Sequence, residues 1–247
     1  MNGVLVVDDE RVASTAADVV QSTLPAAQPR LGVATGSTPM GLYAELARRV
    51  RSGTWTLAGA TLIALDEYVG LGADDPHSYA AFVRDVIARP LGVPPENVLV
   101  PDGLAADPDK EAAAFEAHIG AIGGVDLQIL GIGTNGHLAF NEPGSDLDSA
   151  TRTVTLDEQT RRDNARFFAG RIGDVPSRAI TQGLGTIGRA RSILLLVTGE
   201  RKARALAAAL NGPVTPRAPA SALQRHRSVT VVADRTAARL LRYSGWA

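Results

Sequence analysis

Apolar and polar residues along the chain follow two alternating rhythms: short apolar runs, and longer stretches in which apolar positions return every three or four residues. The short runs, residues 4–7, 30–34, 60–65, 98–100, 125–130, 151–156, 193–197 and 229–233, read as strands. The run 193–197 is apolar at every position, as a parallel strand covered on both faces requires. Helical spacing joins Val12, Ala13, Ala16, Ala17 and Val20 ahead of Leu24-Pro25, then Leu42, Leu46 and Val50, and later Ala203, Leu206, Ala207 and Leu210. Further helices are expected from about Ser78, over 108–122, over 157–168 and from about Thr236. Strands alternating with helices predict an α/β fold: a single-domain, Rossmann-like, open and mostly parallel sheet with helices on both faces, spanning residues 1–247.

Such a sheet binds ligands beyond the carboxyl ends of its strands, so the turns there are where chemistry is expected. After strand 30–34 comes Thr35-Gly36-Ser37-Thr38-Pro39, where a hydroxyl residue followed by proline predicts a helix start with proline at its first position. One glycine and three hydroxyls at a strand-to-helix turn form an anion site, and phosphate is its natural ligand. Plain capping by Ser37 or Thr38 explains one hydroxyl but not the set, and the Gly-Lys-Ser/Thr of a nucleotide P-loop is missing. Strand 60–65 runs into Asp66-Glu67-Tyr68; neighbouring strand residues point to opposite faces, so the two carboxylates are expected to do different jobs. Lys202 lies at a second strand-to-helix turn, Gly199-Glu200-Arg201-Lys202, and shares with Lys110 the distinction of being lysine in a chain otherwise rich in arginine.

Residues 129–145 are the stretch densest in chemistry. Gly131, Gly133 and Gly136 spell the Gly-x-Gly-x-x-Gly of a dinucleotide turn, but that turn must open into a helix whose amides face the pyrophosphate. Asn141-Glu142-Pro143-Gly144 breaks any helix there, which argues against a nucleotide. What the loop offers instead is His137 and Glu142. Five residues apart, they suit no single helical face, so their pairing needs a loop that folds back on itself.

Composition trims the alternatives. With 45% hydrophobic residues in 247, the chain can bury a large core without a second domain. Its 25 basic and 26 acidic residues nearly cancel, so no global field recruits nucleic acid or an anionic membrane, and any anion is bound locally. There is no apolar run of the roughly 18 residues a membrane span needs, and Met1-Asn2-Gly3 lacks a signal peptide's basic start; a cytoplasmic protein is expected. Without cysteine there are no disulfides, thiolate nucleophiles or cysteine-bound metals. Asp66, Glu67, His77 and His137 match no metal-ligand spacing, so no metal or other cofactor is expected.

Five stretches, Thr35-Gly-Ser-Thr-Pro-Met40, Leu65-Asp-Glu-Tyr-Val-Gly-Leu71, Gly131-Ile-Gly-Thr-Asn-Gly-His-Leu-Ala-Phe-Asn-Glu-Pro-Gly144, Asn164-Ala-Arg-Phe-Phe168 and Thr198-Gly-Glu-Arg-Lys-Ala203, together resemble the glucosamine-6-phosphate deaminases. These sugar-phosphate isomerases convert glucosamine 6-phosphate and water to fructose 6-phosphate and ammonia. The resemblance implies that Asp66 is the general base that moves a proton from C2 to C1. It implies that His137 opens the sugar ring, with Glu142 on its other nitrogen and Asn135 beside it, and that Thr35, Gly36, Ser37, Thr38, Arg166 and Lys202 hold the phosphate. Amides of the glycine loop are candidates to steady the charge that develops on the enediol oxygen. An aminosugar phosphate is thus the expected partner, a homo-oligomer is compatible with the family, and a mobile lid is expected within 152–181.

Two positions depart from the family pattern. Asn135 stands where the best-known members carry aspartate, leaving Glu142 alone to sustain the basicity of His137. Val154 stands where allosterically activated hexameric members place a lysine, although Arg152 is retained, so activation by N-acetylglucosamine 6-phosphate is not expected. The alternatives are a 6-phosphogluconolactonase-type hydrolase and a non-catalytic sugar-phosphate sensor domain. No motif distinguishes glucosamine from galactosamine 6-phosphate.

Overall fold

The computed structural model describes residues 3–242. Met1 and Asn2, read above for a signal, and residues 243–247 of the expected 1–247 unit lie outside them. The strands are β1 (Gly3–Val7), β2 (Arg30–Val33), β3 (Thr61–Ala64), β4 (Asp66–Tyr68), β5 (Val98–Leu99), β6 (Leu127–Gly131), β7 (Arg152–Thr155), β8 (Arg178–Thr181), β9 (Ser192–Val197) and β10 (Val229–Asp234). Seven of them form a parallel sheet in the order β1-β10-β9-β6-β2-β3-β5. The expected α/β architecture is the one observed. Leu31, Ile129, Leu194, Leu195, Val231 and Val232 are wholly buried, which is why these strands are apolar at successive positions and do not alternate.

From β2 the chain moves outward through β3 to β5, then returns to the other side of β2 as β6 and moves outward again through β9 and β10. The order therefore reverses between β2 and β6. At such a reversal the loops leaving adjacent strands diverge and open a crevice at their carboxyl ends. The helix Asp9–Thr23 turns Val12, Ala16, Ala17 and Val20 inward, and the helix Met40–Arg51 turns in Leu42, Tyr43, Leu46 and Ala47. Tyr43 is the outlier in that apolar stripe: its hydroxyl accepts from the Ala34 amide at 3.0 Å and donates to the Ala34 carbonyl at 2.9 Å. Both backbone groups just beyond β2 are thereby fixed to the following helix, and the loop 35–38 leaves the sheet from a rigid point.

The remaining strands form a small antiparallel sheet, β4-β8-β7, which the periodicity did not reveal. The run expected at 60–65 divides: β3 ends at Ala64, and Asp66 belongs to β4, where it pairs with Thr181. Polar anchors explain the division. Gln182 donates its amide to the Leu65 carbonyl at 2.7 Å and its side-chain Nε2 to the Ala64 carbonyl at 2.8 Å, so β8 takes over where the parallel neighbour stops. A second apolar cluster, Tyr68, Phe140, Leu156, Ala165, Phe168, Val175 and Ala179, packs under this sheet.

Two helices differ from expectation. The one expected from Ser78 starts at Tyr79, with Ser78 capping Ala81 N, and opens into π turns over Val83–Ala88 ahead of Pro90, which has no N–H to continue an α ladder. The helix expected over 157–168 is α only over Glu158–Asn164 and tightens to a 3-10 turn over Ala165–Phe168. No helix among the described residues is long and apolar enough to cross a membrane.

Candidate active site

The crevice at the strand reversal has a volume of about 620 Å3, and its walls bring together segments from the whole length of the chain. Asp66, His137, Arg166, Lys202 and the loop Thr35–Gly36–Ser37–Thr38 all line it. Asn135 and Glu142 stand behind His137, outside the lining.

At one end are the strand-to-helix turns. Pro39 occupies the cap position and the helix begins at Met40, so proline is one residue earlier than expected and no side chain caps this helix. Gly36 and Ser37 are exposed. Lys202 closes the turn after β9, and burial, Arg201 and Arg166 all lower the basicity of its ammonium while Asp163 raises it. Two guanidinium groups close enough to weaken a lysine describe a pocket short of negative charge. Arg166 is held with its guanidinium 4.7 Å above the ring of Phe167, itself 45% exposed. Behind the turn, Asp234 at the end of β10 accepts from the Gly199 amide at 2.7 Å. Asp234 escaped sequence reading, being an ordinary charged residue until the fold places it at this loop, and Arg201 was read as part of the turn without a role.

At the other end the carboxylates are dry. Asp66 is 5% exposed, and burial, with the neighbouring Glu67 charge, pushes its carboxyl up to about 8. Glu67 points away from the crevice. It accepts amide hydrogen bonds from Tyr68 at 2.7 Å, Tyr79 at 3.0 Å and Ala80 at 2.8 Å; burial still holds its pKa up against these donors. The two adjacent carboxylates thus face opposite ways, one toward the crevice and one anchoring the start of the helix at Tyr79. Tyr79 in turn lines the crevice, with its hydroxyl donating to Tyr68 Oη at 3.3 Å and hydrogen-bonded to Thr35.

The loop after β6 folds back, with no helix between Gly131 and Arg152. A β-carbon on Gly133 would fall 2.3 Å from the His137 ring, so only glycine lets the imidazole lie against the loop. Gly136, at φ +88°, makes the reversal that turns His137 inward. The amides of Gly133 and Gly136 donate to the carbonyls of His137 and Gly133, so these two are spent on the loop and do not face a ligand, contrary to expectation. His137 Nδ1 lies 3.6 Å from Glu142 Oε2, and Asn135 donates Nδ2 to the same oxygen at 2.7 Å while its Oδ1 accepts from the His137 amide at 3.2 Å. Glu142 is held down to about 2: burial works against its charge, but His137, Thr160 and Asn135 together outweigh it. Thr160, which sequence reading passed over, donates its hydroxyl to Glu142 Oε1. Among the described residues no three histidines or carboxylates gather into a metal cradle.

Known proteins share this arrangement of chain. A glucosamine-6-phosphate deaminase of Streptomyces coelicolor is 53% identical over 87% of this chain and 83% of its own length, and one of Cutibacterium acnes is 50% identical over 96% and 91%. A solved structure of a monomeric glucosamine-6-phosphate deaminase superposes with a TM-score of 0.92 at 40% identity, covering 96% of this chain and 99% of that one. The 6-phosphogluconolactonase of Leishmania guyanensis shares the fold, with a TM-score of 0.73 at 22% identity over 96% and 97% of the two chains. Residues 7–232 match the family of glucosamine-6-phosphate isomerases and 6-phosphogluconolactonase, and the chain belongs to that family.

Proposed function

We propose that this protein is a glucosamine-6-phosphate deaminase that converts glucosamine 6-phosphate and water to fructose 6-phosphate and ammonia. The observation that carries the reading is the placement of Asp66 in one crevice with His137 and with the cations Lys202 and Arg166. A remote phosphate held by the cations and the loop 35–38 fixes the sugar's orientation, which a reacting carbon cannot secure for itself. His137, backed by Glu142, moves the proton from the C1 hydroxyl to the ring oxygen as the C1–O5 bond breaks. Asp66 then takes the C2 proton; the electron pair forms a C1–C2 double bond while the π pair of the C1 aldehyde moves onto O1, which takes a proton from the substrate's ammonium, giving a neutral enolamine. Returning the proton to C1 leaves an iminium at C2; water adds there and ammonia departs. Asp66 must be ionised to act, and a pKa of about 8 works against that. The substrate's own ammonium group, arriving beside it, favours the carboxylate.

Ammonia and fructose 6-phosphate released from glucosamine 6-phosphate, with Asp66→Asn as the control, test the reading; no ammonia from the wild-type protein refutes it. In heavy water, deuterium should appear at C1 of the product to the extent that the Asp66 carboxyl exchanges before it returns its proton. A lactonase makes no C–H bond and would leave C1 unlabelled.

Regulation by a second sugar phosphate is absent in this reading. Val154 cannot pair with phosphate, and the Arg152 guanidinium is engaged by Asn141 Oδ1 at 2.8 Å and by Ser145 Oγ at 3.3 Å. A fall in half-saturation on adding N-acetylglucosamine 6-phosphate would overturn this. The reading also implies a cytoplasmic enzyme, where its phosphorylated substrate would be available.

A further inference from the structure

Glu142 links the ring-opening histidine to a segment remote from it in sequence. Its Oε2 faces His137 Nδ1 at 3.6 Å and accepts from Asn135, while its Oε1 accepts from the Thr160 hydroxyl. A carboxylate with pKa about 2 only accepts, so Thr160 is the donor. Thr160 is buried in the helix Glu158–Asn164. Further along the same segment, Asn164 donates to Tyr68 Oη at 3.0 Å, and the 3-10 turn Ala165–Phe168 carries Arg166 into the crevice. One short continuous piece of chain therefore holds Glu142 at one end and a phosphate-facing cation at the other. Packing alone asks for a β-branched side chain at 160; only the hydroxyl reaches the carboxylate.

We propose that Thr160 is a positioning residue: through its bond to Glu142, the seating of a phosphate at Arg166 is passed to His137. The kinetic part of this proposal rests on the deaminase reading; the contact itself does not. The hydroxyl offsets part of the Glu142 charge that His137 feels, so removing it strengthens the pull on a protonated imidazole. The other charged groups around the crevice, Asp9 on the first helix, Asp66 on β4, Asp163 and Arg166 on the segment that carries Thr160, and Glu200, Arg201 and Lys202 after β9, are unchanged by the substitution.

The test uses Thr160→Val, which keeps the shape, and Thr160→Ser, which keeps the hydroxyl. In the resting protein, NMR titration of His137, assigned with His137→Gln, should move to higher pH in the valine variant and return toward wild type in the serine variant. In turnover, kcat should fall roughly tenfold in Thr160→Val with less change in KM, the size expected for one lost hydrogen bond to a charged group. In an Arg166→Ala background the same substitution should cost less, because no seated phosphate remains to be reported. An unmoved His137 titration, or a serine variant no better than valine, overturns the contact's role; equal costs with and without Arg166 overturn the coupling. A wild-type protein that releases no ammonia would refute the deaminase reading, and the titration would still decide the contact.

Discussion

The two ends of the crevice are built on opposite principles. The end proposed to hold phosphate is made of strand-to-helix turns after β2 and β9, with exposed backbone and cations from separate segments. The end proposed for proton transfer is made of a buried strand residue, Asp66, and a loop without helix, in which charge is costly and both Glu142 oxygens are engaged. Recognition of a doubly charged group tolerates water; removal of a proton from carbon does not. Burial that raises Asp66 and partners that lower Glu142 set two carboxylates of one site far apart in pKa, which lets one exchange protons and the other stay charged.

Substitutions at the two ends should separate cleanly. The largest effect is expected for Asp66→Asn, which should lower kcat by roughly 10³-fold or more while KM stays near wild type, as the loss of a general base without loss of phosphate contacts requires. Glu142→Gln should lower kcat by about 10²-fold, and its residual activity should follow a shifted pH profile because His137 loses its charged partner. At the other end, Lys202→Ala should raise KM about tenfold or more with a smaller change in kcat. If Lys202→Ala lowers kcat as deeply as Asp66→Asn does, the division between the ends fails.

A smaller effect concerns stability. The carboxyl of Asp66 is raised from 3.8 to about 8 in the folded protein, so the fold retains a proton that the unfolded chain gives up earlier. The stability this contributes is full below about pH 4 and is lost as pH rises through about 8. Asp66→Asn should therefore melt several degrees above wild type at pH 8 and close to it at pH 4. Least of all, Asn135→Asp replaces a donor 2.7 Å from Glu142 by an acceptor, and the added charge should raise the acid-limb pKa of kcat/KM by less than one unit. An unchanged limb would mean that Asn135 serves only to hold the loop.

The strand-to-helix turns at one end of the crevice were largely legible in the sequence, because such a turn is local: Thr35 to Thr38 and Gly199 to Lys202 are contiguous. At the other end the sequence singled out Asp66-Glu67 at a strand's end and His137 with Glu142 in a loop that folds back, but their separate roles came only from the resemblance of the motifs. Asp66 sits in a three-residue strand whose partner, β8, lies over a hundred residues away, and no periodicity marks a strand of three or four residues. Gln182, which ties that strand to the main sheet, and Thr160, which reaches Glu142, are polar residues that look solvated until long-range packing buries them. The glycines of residues 131–136 were read as a turn that opens into no helix, and none follows before Arg152. Their purpose, clearance for an imidazole at Gly133 and a reversal at Gly136, is a matter of distances that no spacing encodes.

Among the described residues, the edge strand β1 pairs with β10 alone, Gly3 beside Thr230 through Val7 beside Asp234. β1 then has to wait for β10, more than two hundred residues further along, before it gains this hydrogen-bonded neighbour. Asp234, which holds the Gly199 loop, lies in that last strand. Assembly of the anion-binding turn and closure of the sheet's edge thus become a single late event in folding. Until it occurs, the nascent chain carries an apolar strand with no partner, and synthesis that stops short of β10 leaves a species prone to association rather than a weakened enzyme.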